Sequence, residues 1–206
     1  MRKQRLARRS AVCVGFISLA VVALAHGQWA ESYQYESQGD YAAAILAIAP
    51  IVEADPDHEF AVLRTAWLKY LLGDHNAAIR DYQRALEIND QSLEARLGLT
   101  LPLLAQRRWR EAAAVSQEVL AAAPWNYYAH IRLLVAEEGQ RQWQTLARHA
   151  ATVAAHYPGD ATALIYLARA QARQGNPEAA RVAYQQVLER IPGHQEAAAF
   201  LAQSGG

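Results

Sequence analysis

Cysteine is almost absent from this chain: Cys13 is the only one among 206 residues, and it lies in an N-terminal apolar segment. Disulfide bonds and thiolate metal sites are therefore excluded for the remainder, which must be stabilised by packing alone. The sequence also lacks a glycine-rich phosphate loop, an HExxH zinc motif and a Gly-x-Ser-x-Gly nucleophile elbow. These absences predict a protein that is not an enzyme and that holds no cofactor and no metal.

Basic residues are scarce outside the N-terminal segment 1–25. Residues 26–206 contain 15 Lys and Arg against 20 Asp and Glu, a formal net charge of −5. Nucleic-acid partners select clustered Lys and Arg, because these side chains neutralise phosphates. The charge balance therefore argues against a nucleic-acid partner.

Long apolar runs are also missing, with one exception at the N-terminus. Residues 11–25 are uncharged and apolar, and five basic residues precede them. This run is shorter than the roughly 20 residues that span a bilayer, and Ala23 and Ala25 form an Ala-x-Ala cleavage site. We expect 1–25 to be an export signal that leaves a periplasmic or extracytoplasmic protein. The alternative is an uncleaved inner-membrane anchor, with membrane contact only through 11–25.

Proline marks a regular period in what remains. Pro124, Pro158 and Pro192 recur at one constant interval, and Pro56 lies two such intervals before Pro124. The interval is about 34 residues, which is the period of one class of helix-turn-helix repeat. Blocks of this length fit the chain five times without insertion: 25–58, 59–92, 93–126, 127–160 and 161–194.

The fifteenth position of each block is where a turn between two helices is expected. Three blocks place a glycine there, followed by a residue that caps helices: Gly39-Asp40, Gly73-Asp74 and Gly175-Asn176. Glycine ends a helix in the left-handed region, and Asp or Asn then caps the next helix. The other two blocks carry Arg107-Arg108 and Arg141-Gln142.

Apolar residues within each block recur with a spacing near 3.6 over two runs of roughly 12 residues, which is typical of helices. No segment has the pattern of a strand. A short amphipathic run follows the last block, so we expect 195–206 to form a capping helix with a frayed tail.

The positional pattern resembles the tetratricopeptide repeat family. The family places alanine at position 20, where this chain has Ala44, Ala78, Ala112 and Ala180, with Leu146 in the fourth block. The resemblance covers 25–194, although Asp90 replaces the expected proline of the second block. It implies an all-α fold, a right-handed superhelical array of antiparallel helix pairs with five 34-residue repeats and a C-terminal capping helix.

The same resemblance implies a binding site, because relatives bind partners in a concave groove lined by their first helices. Carried over by position, the groove residues are Phe60, Leu63, Arg64, Trp67, Tyr70, Leu97, Leu101, Tyr128, Ile131, Arg132 and Val135. This set is largely apolar and aromatic, which suits an apolar peptide or helix. Of the basic and amide residues with which relatives grip acidic chaperone tails, Arg132 alone is present.

The remaining histidines and charge pairs are interpreted as structural or surface residues. His149 and His156 share a helix face but lack a third ligand, so we expect solvated or edge-packed histidines. Glu137-Glu138 and Arg107-Arg108 are expected to be turn or surface charges.

The sequence therefore predicts a non-catalytic interaction scaffold of the cell envelope. Two alternatives remain open. One is a self-assembling scaffold, a homo-oligomer in which the Phe200 or Trp29 end of one copy docks on another. The other is an accessory subunit of an envelope complex, such as an outer-membrane barrel, a cytochrome-maturation system or a polysaccharide exporter.

Overall fold

A computed structural model describes residues 27–203, which form helices joined by short turns, with no strand in that range. The helices are α1 (27–37), α2 (Tyr41–Ala54), α3 (Glu59–Leu72), α4 (His75–Ile88), α5 (Leu93–Ala105), α6 (Trp109–Ala122), α7 (Tyr127–Gly139), α8 (Trp143–His156), α9 (Thr162–Arg173), α10 (Pro177–Arg190) and α11 (Gln195–Gln203). None of them has the length and hydropathy needed to cross a bilayer. The predictions for 1–25 and for the frayed tail at 204–206 lie outside the described residues.

The helix starts reproduce the period that the prolines indicated. The second helix of each pair begins at Tyr41, His75, Trp109, Trp143 or Pro177, and these starts are separated by the same constant interval as the prolines. The all-α repeat fold predicted from the sequence is confirmed.

Glycine and aspartate form the predicted turns in the first two pairs. Gly39 and Gly73 have φ values of 77° and 87°, and the carboxylates of Asp40 and Asp74 accept hydrogen bonds from the first turns of α2 and α4 at 3.0 and 3.1 Å. These two turns therefore end one helix and cap the next.

The last pair departs from this pattern. Gly175 has a φ of 77°, but Asn176 makes no side-chain cap, and its amide instead donates to Gln171 Oε1 at 3.0 Å. The missing cap is tolerated because Pro177 begins α10, and proline is favoured at this position.

The chain divides into two compact units, 1–90 and 91–206. In the first unit α3 packs on both α2 and α4, around a core that includes Ala44, Ile48, Ile51 and Ala61. Trp29 of α1 packs against this core.

The second unit contains α5 to α11, and its C-terminal end is covered. Ala197 of α11 is fully buried, and Phe200 and Leu201 pack on the α9–α10 core. The Tyr184 hydroxyl donates to Glu196 at 2.6 Å, and burial raises the pKa of Tyr184 above its usual range. The predicted capping helix is therefore present as α11.

Helix packing in the second unit leaves no room for a methyl group at Gly139, the last residue of α7. A Cβ at this position would meet the Trp109 indole of α6 at 2.4 Å, whereas a Cβ at Gly159 would meet no heavy atom within 4 Å.

We predict that Gly139→Ala lowers the free energy of unfolding by about 1–3 kcal/mol through overpacking, whereas Gly159→Ala changes it little. Chemical denaturation of the two alanine variants checks this, and equal stabilities would contradict it.

Candidate functional site

The predicted groove residues of the first unit lie on α3 and differ in accessibility. Phe60 is 46% exposed, whereas Leu63 and Arg64 are each only 6% exposed. Trp67 and Tyr70 are half-buried. Phe60, Trp67 and Tyr70 therefore offer surface to a ligand, and Leu63 and Arg64 do not.

Arg64 is buried because α1 supplies its partners. Its guanidinium forms an ion pair with Glu36 and donates to Ser32 Oγ at 3.3 Å. The indole of Trp67 donates to the other oxygen of Glu36 at 2.7 Å. Burial opposes ionisation of Glu36, but the hydrogen bonds from Trp67 and Arg64 outweigh it and hold the pKa of Glu36 below its usual value. This network ties α1 to α3.

Phe60 also has an aromatic neighbour within the first unit. The Trp29 ring lies 4.9 Å from the Phe60 ring, centroid to centroid. Trp29 is thus engaged by its own chain, as is Phe200, whose ring lies 4.8 Å from that of Tyr184 in the second unit. Each of these two rings therefore packs against another ring of its own unit.

The predicted groove residues of the second unit lie on α5 and α7. Tyr128 is 63% exposed, and the remainder are half-buried: Leu97, Leu101, Ile131, Arg132 and Val135. The Arg132 guanidinium donates to the carbonyl oxygen of Leu97 and lies 5.9 Å from the Tyr128 ring. Arg132 therefore joins the two helices that carry this set.

A charged cavity of about 490 Å³ lies in the same unit, and none of its lining residues belongs to the predicted groove set. It is lined by Glu138, Trp143, Arg169, Ala172, Arg173, Tyr184 and Glu196. Arg169 occupies the same block position as Trp67, Leu101 and Val135. Applying the family's groove positions to the fifth block would have found it.

Arg169 organises the charges of this cavity. It binds Glu196 through two hydrogen bonds of 2.6 and 2.8 Å and reaches Glu138 Oε1 at 3.4 Å. The hydrogen bonds from Arg169 hold the pKa of Glu196 below its usual value, against the effect of burial. Arg173 lies over the Trp143 ring at 5.9 Å. The cavity thus provides paired charges beside an aromatic wall.

Glu137 is not the surface charge that the sequence indicated, because it is only 5% exposed. Its Oε2 lies 3.0 Å from His149 Nδ1, and His149 Nε2 lies 2.9 Å from His130 Nδ1. His130 Nε2 in turn lies 3.0 Å from the carbonyl oxygen of Pro124. The expectation of a surface glutamate was wrong because α8 places His149 directly against α7.

This series of three hydrogen bonds requires three protons. The Pro124 carbonyl only accepts, so His130 must donate from Nε2 and accept at Nδ1, and His149 must then donate from Nε2. Two neutral imidazoles supply two protons, so a third must lie between His149 and Glu137. A proton shared between His149 Nδ1 and Glu137 Oε2 satisfies every contact.

Two family models match the chain, and both are described as tetratricopeptide repeat. One matches residues 30–94 and the other residues 140–204. No curated protein matches the chain.

Solved structures resemble the chain in fold. MamA of Desulfovibrio magneticus RS-1 has a TM-score of 0.76 at 17% identity, over 84% of this chain and 97% of that one. YrrB, a TPR protein with an unusual peptide-binding site, has a TM-score of 0.71 at 16% identity, over 84% and 88%. PilW, a type IV pilus biogenesis factor, has a TM-score of 0.73 at 21% identity, over 87% of each chain.

Burial of His130 generates a pH dependence. Desolvation lowers the pKa of His130, against the hydrogen bond to Pro124, and the nearby His149 and His156 lower it further while Glu137 raises it. A histidine whose pKa is lower in the folded state stabilises the fold above its unfolded pKa of about 6.5, and this stability is lost as the pH falls below that value.

We predict that His130→Gln weakens the decrease in unfolding free energy between pH 7.5 and pH 5. The variant removes the titrating group but keeps a side chain that donates to Pro124. Denaturation curves of the variant and the parent chain at both pH values measure this. An identical decrease in both proteins would contradict the prediction.

Proposed function

We propose that this chain, which is a tetratricopeptide repeat protein, is a non-catalytic scaffold of the cell envelope that binds an apolar peptide or helix of a partner protein. The observation that carries the proposal is that two of the large apolar side chains left exposed, Phe60 and Tyr128, fall on the positions that the family uses for binding. Both are the second residue of their block.

Exposure of these rings has a cost that a partner would remove. Full burial of an exposed apolar side chain of this size gains roughly 1.5–3 kcal/mol, and a partner would gain part of this by covering the 46% of Phe60 and the 63% of Tyr128 that remain exposed. Tyrosine and phenylalanine also lose little conformational entropy when they are immobilised, which makes them effective anchors. These properties favour a partner that inserts apolar side chains against them.

The neighbours of Tyr128 favour a ligand with one apolar and one polar end. Leu97, Leu101 and Val135 keep part of their surface exposed. Glu138 follows Val135 by one helical turn and opens into the charged cavity at Arg169. An amphipathic helix, or a peptide with a polar terminus, would place its apolar side chains on the first group and its polar end at the cavity.

Export is supported by the N-terminal pattern alone, since residues 1–26 lie outside the described part of the chain. YrrB has a peptide-binding site and PilW serves pilus biogenesis. A peptide ligand and an envelope location would be in keeping with these proteins of the same fold.

We predict that Phe60→Glu combined with Tyr128→Glu weakens partner binding by roughly tenfold or more, because a charge replaces each apolar anchor. Tyr128→Glu should change the unfolding temperature little, whereas Phe60→Glu also removes the contact with Trp29 and should lower it modestly. The matched control is Val182→Glu on α10, which is 56% exposed and outside the predicted set.

Site-specific photocrosslinking identifies the ligand in the same experiment. A photoreactive phenylalanine at position 128 should capture an envelope protein through an apolar segment, and the same group at position 182 should not. Capture of a second copy of the chain would instead favour self-assembly. A crosslinked product common to both positions would contradict groove binding.

The export hypothesis has its own test. Ala25→Leu removes the small residue that signal peptidase requires, so we predict a larger, membrane-bound form on immunoblots of fractionated cells. Ala30→Leu, beyond the cleavage site, serves as the control. If the parent chain and the Ala25→Leu variant have the same mass and are both membrane-bound, the segment is an anchor.

A further inference from the structure

Two turns of the second unit concentrate positive charge on one cavity. The α5–α6 and α7–α8 turns border a space of about 500 Å³ lined by Arg107, Arg108, Trp109, Arg110, Glu111, Gln140 and Gln142. Arg141 lies between the last two residues in sequence. Three arginines against one glutamate leave a positive excess here, although residues 26–206 as a whole have a formal net charge of −5.

Most of these arginines have no carboxylate partner. Arg108 holds Glu111 through hydrogen bonds of 2.6 and 2.7 Å. None of the ion pairs among residues 27–203 involves Arg107, Arg110 or Arg141, which are all exposed. In the same unit Arg96, Arg169 and Arg190 each have an acidic partner. Arg148 and Arg173 of this unit also form no ion pair among the described residues, but the α5–α6 and α7–α8 turns bring several such arginines to the border of one cavity.

The turns of different blocks differ in backbone strain. At the same block position the first two turns carry Gly39-Asp40 and Gly73-Asp74, which are unstrained and capped. Here Arg107 and Arg141 adopt a φ of 58° in the left-handed region, where a Cβ is unfavourable. Glycine adopts this conformation with less strain, so replacing both arginines by glycine is expected to stabilise the fold.

The N-cap residues at these two turns also differ from the aspartates of the first two turns. Arg108 occupies the N-cap of α6 and Gln142 that of α8, and neither makes a side-chain cap. A guanidinium group has no acceptor for the first-turn N–H groups. Two aspartates that neutralise helix N-termini elsewhere are therefore replaced by an arginine and a glutamine, and the local potential becomes more positive.

We infer that this edge of the second unit, lined by Arg107, Arg108 and Arg110 and bordered by the turn that carries Arg141, is a docking surface for an acidic segment of a protein partner. Charge complementarity identifies the occupant, because guanidinium groups bind carboxylates through paired, charge-assisted hydrogen bonds. Trp109 adds an apolar wall for the stems of Glu or Asp side chains. The surface does not include Phe60 or Tyr128, so it stands independently of the proposed groove.

The test replaces the strained arginines by the residue that the other turns use. Arg107→Gly together with Arg141→Gly should raise the unfolding temperature by about 2–4 °C, because the left-handed strain is relieved. The same variant should bind a fluorescent octaglutamate peptide about tenfold more weakly than the parent full-length chain. A gain in stability with a loss of binding is not expected of residues that serve folding.

Matched controls separate this surface from general charge. Arg80→Ala together with Arg148→Ala removes two exposed arginines outside the cavity and should leave octaglutamate affinity unchanged. Octaglutamine should not bind, and increasing salt should weaken octaglutamate binding.

Three results would overturn the inference. These are no octaglutamate binding by the parent chain, equal binding by the glycine variant, and binding of inorganic phosphate in place of the peptide. The Phe60→Glu and Tyr128→Glu variant tests the groove separately, so failure of one site is distinguishable from failure of the other.

Discussion

Close approach of helices through small side chains is the constraint on which the structure depends. At the twentieth position of each block Ala44, Ala78, Ala112 and Ala180 are all fully buried, and Leu146 takes the same place in the fourth block. A larger side chain at such a contact must displace its neighbour, because protein interiors have few voids. The contact of Gly139 with the Trp109 ring is the extreme case. Each helix pair can therefore carry varied surfaces while this buried contact is kept.

The surfaces of the two units use this freedom differently. Glu36 in the first unit engages both Arg64 and Trp67, so part of the α3 face is occupied by its own chain. The second unit presents exposed Tyr128, a charged cavity around Arg169 and arginine-rich turns. The second unit therefore exposes three kinds of surface: an aromatic ring, a cavity with paired charges and a cluster of arginines.

Much of the fold could be predicted because it is local in sequence. The regular spacing of the prolines, Gly39 and Gly73 before aspartates, and the apolar run after position 194 correctly indicated helix starts, left-handed turns and the capping helix. The site was harder to predict, since accessibility depends on which residue of another helix comes near. Nothing around Arg64 in the sequence reveals Ser32 and Glu36. Likewise, Glu137 looks like a surface residue until His149 is placed beside it.

The position of α11 has a consequence for how such a chain changes in length. It begins at Gln195, one full block length after position 161, where the fifth block starts, and so occupies the place of the first helix of a sixth repeat. Phe200 and Leu201 pack on the α9–α10 core, so α11 covers this helix pair as the first helix of a further repeat would. Duplication of an internal block would preserve every contact of α11. Insertion of a block within the array would therefore lengthen the protein without changing the helix that covers the α9–α10 core.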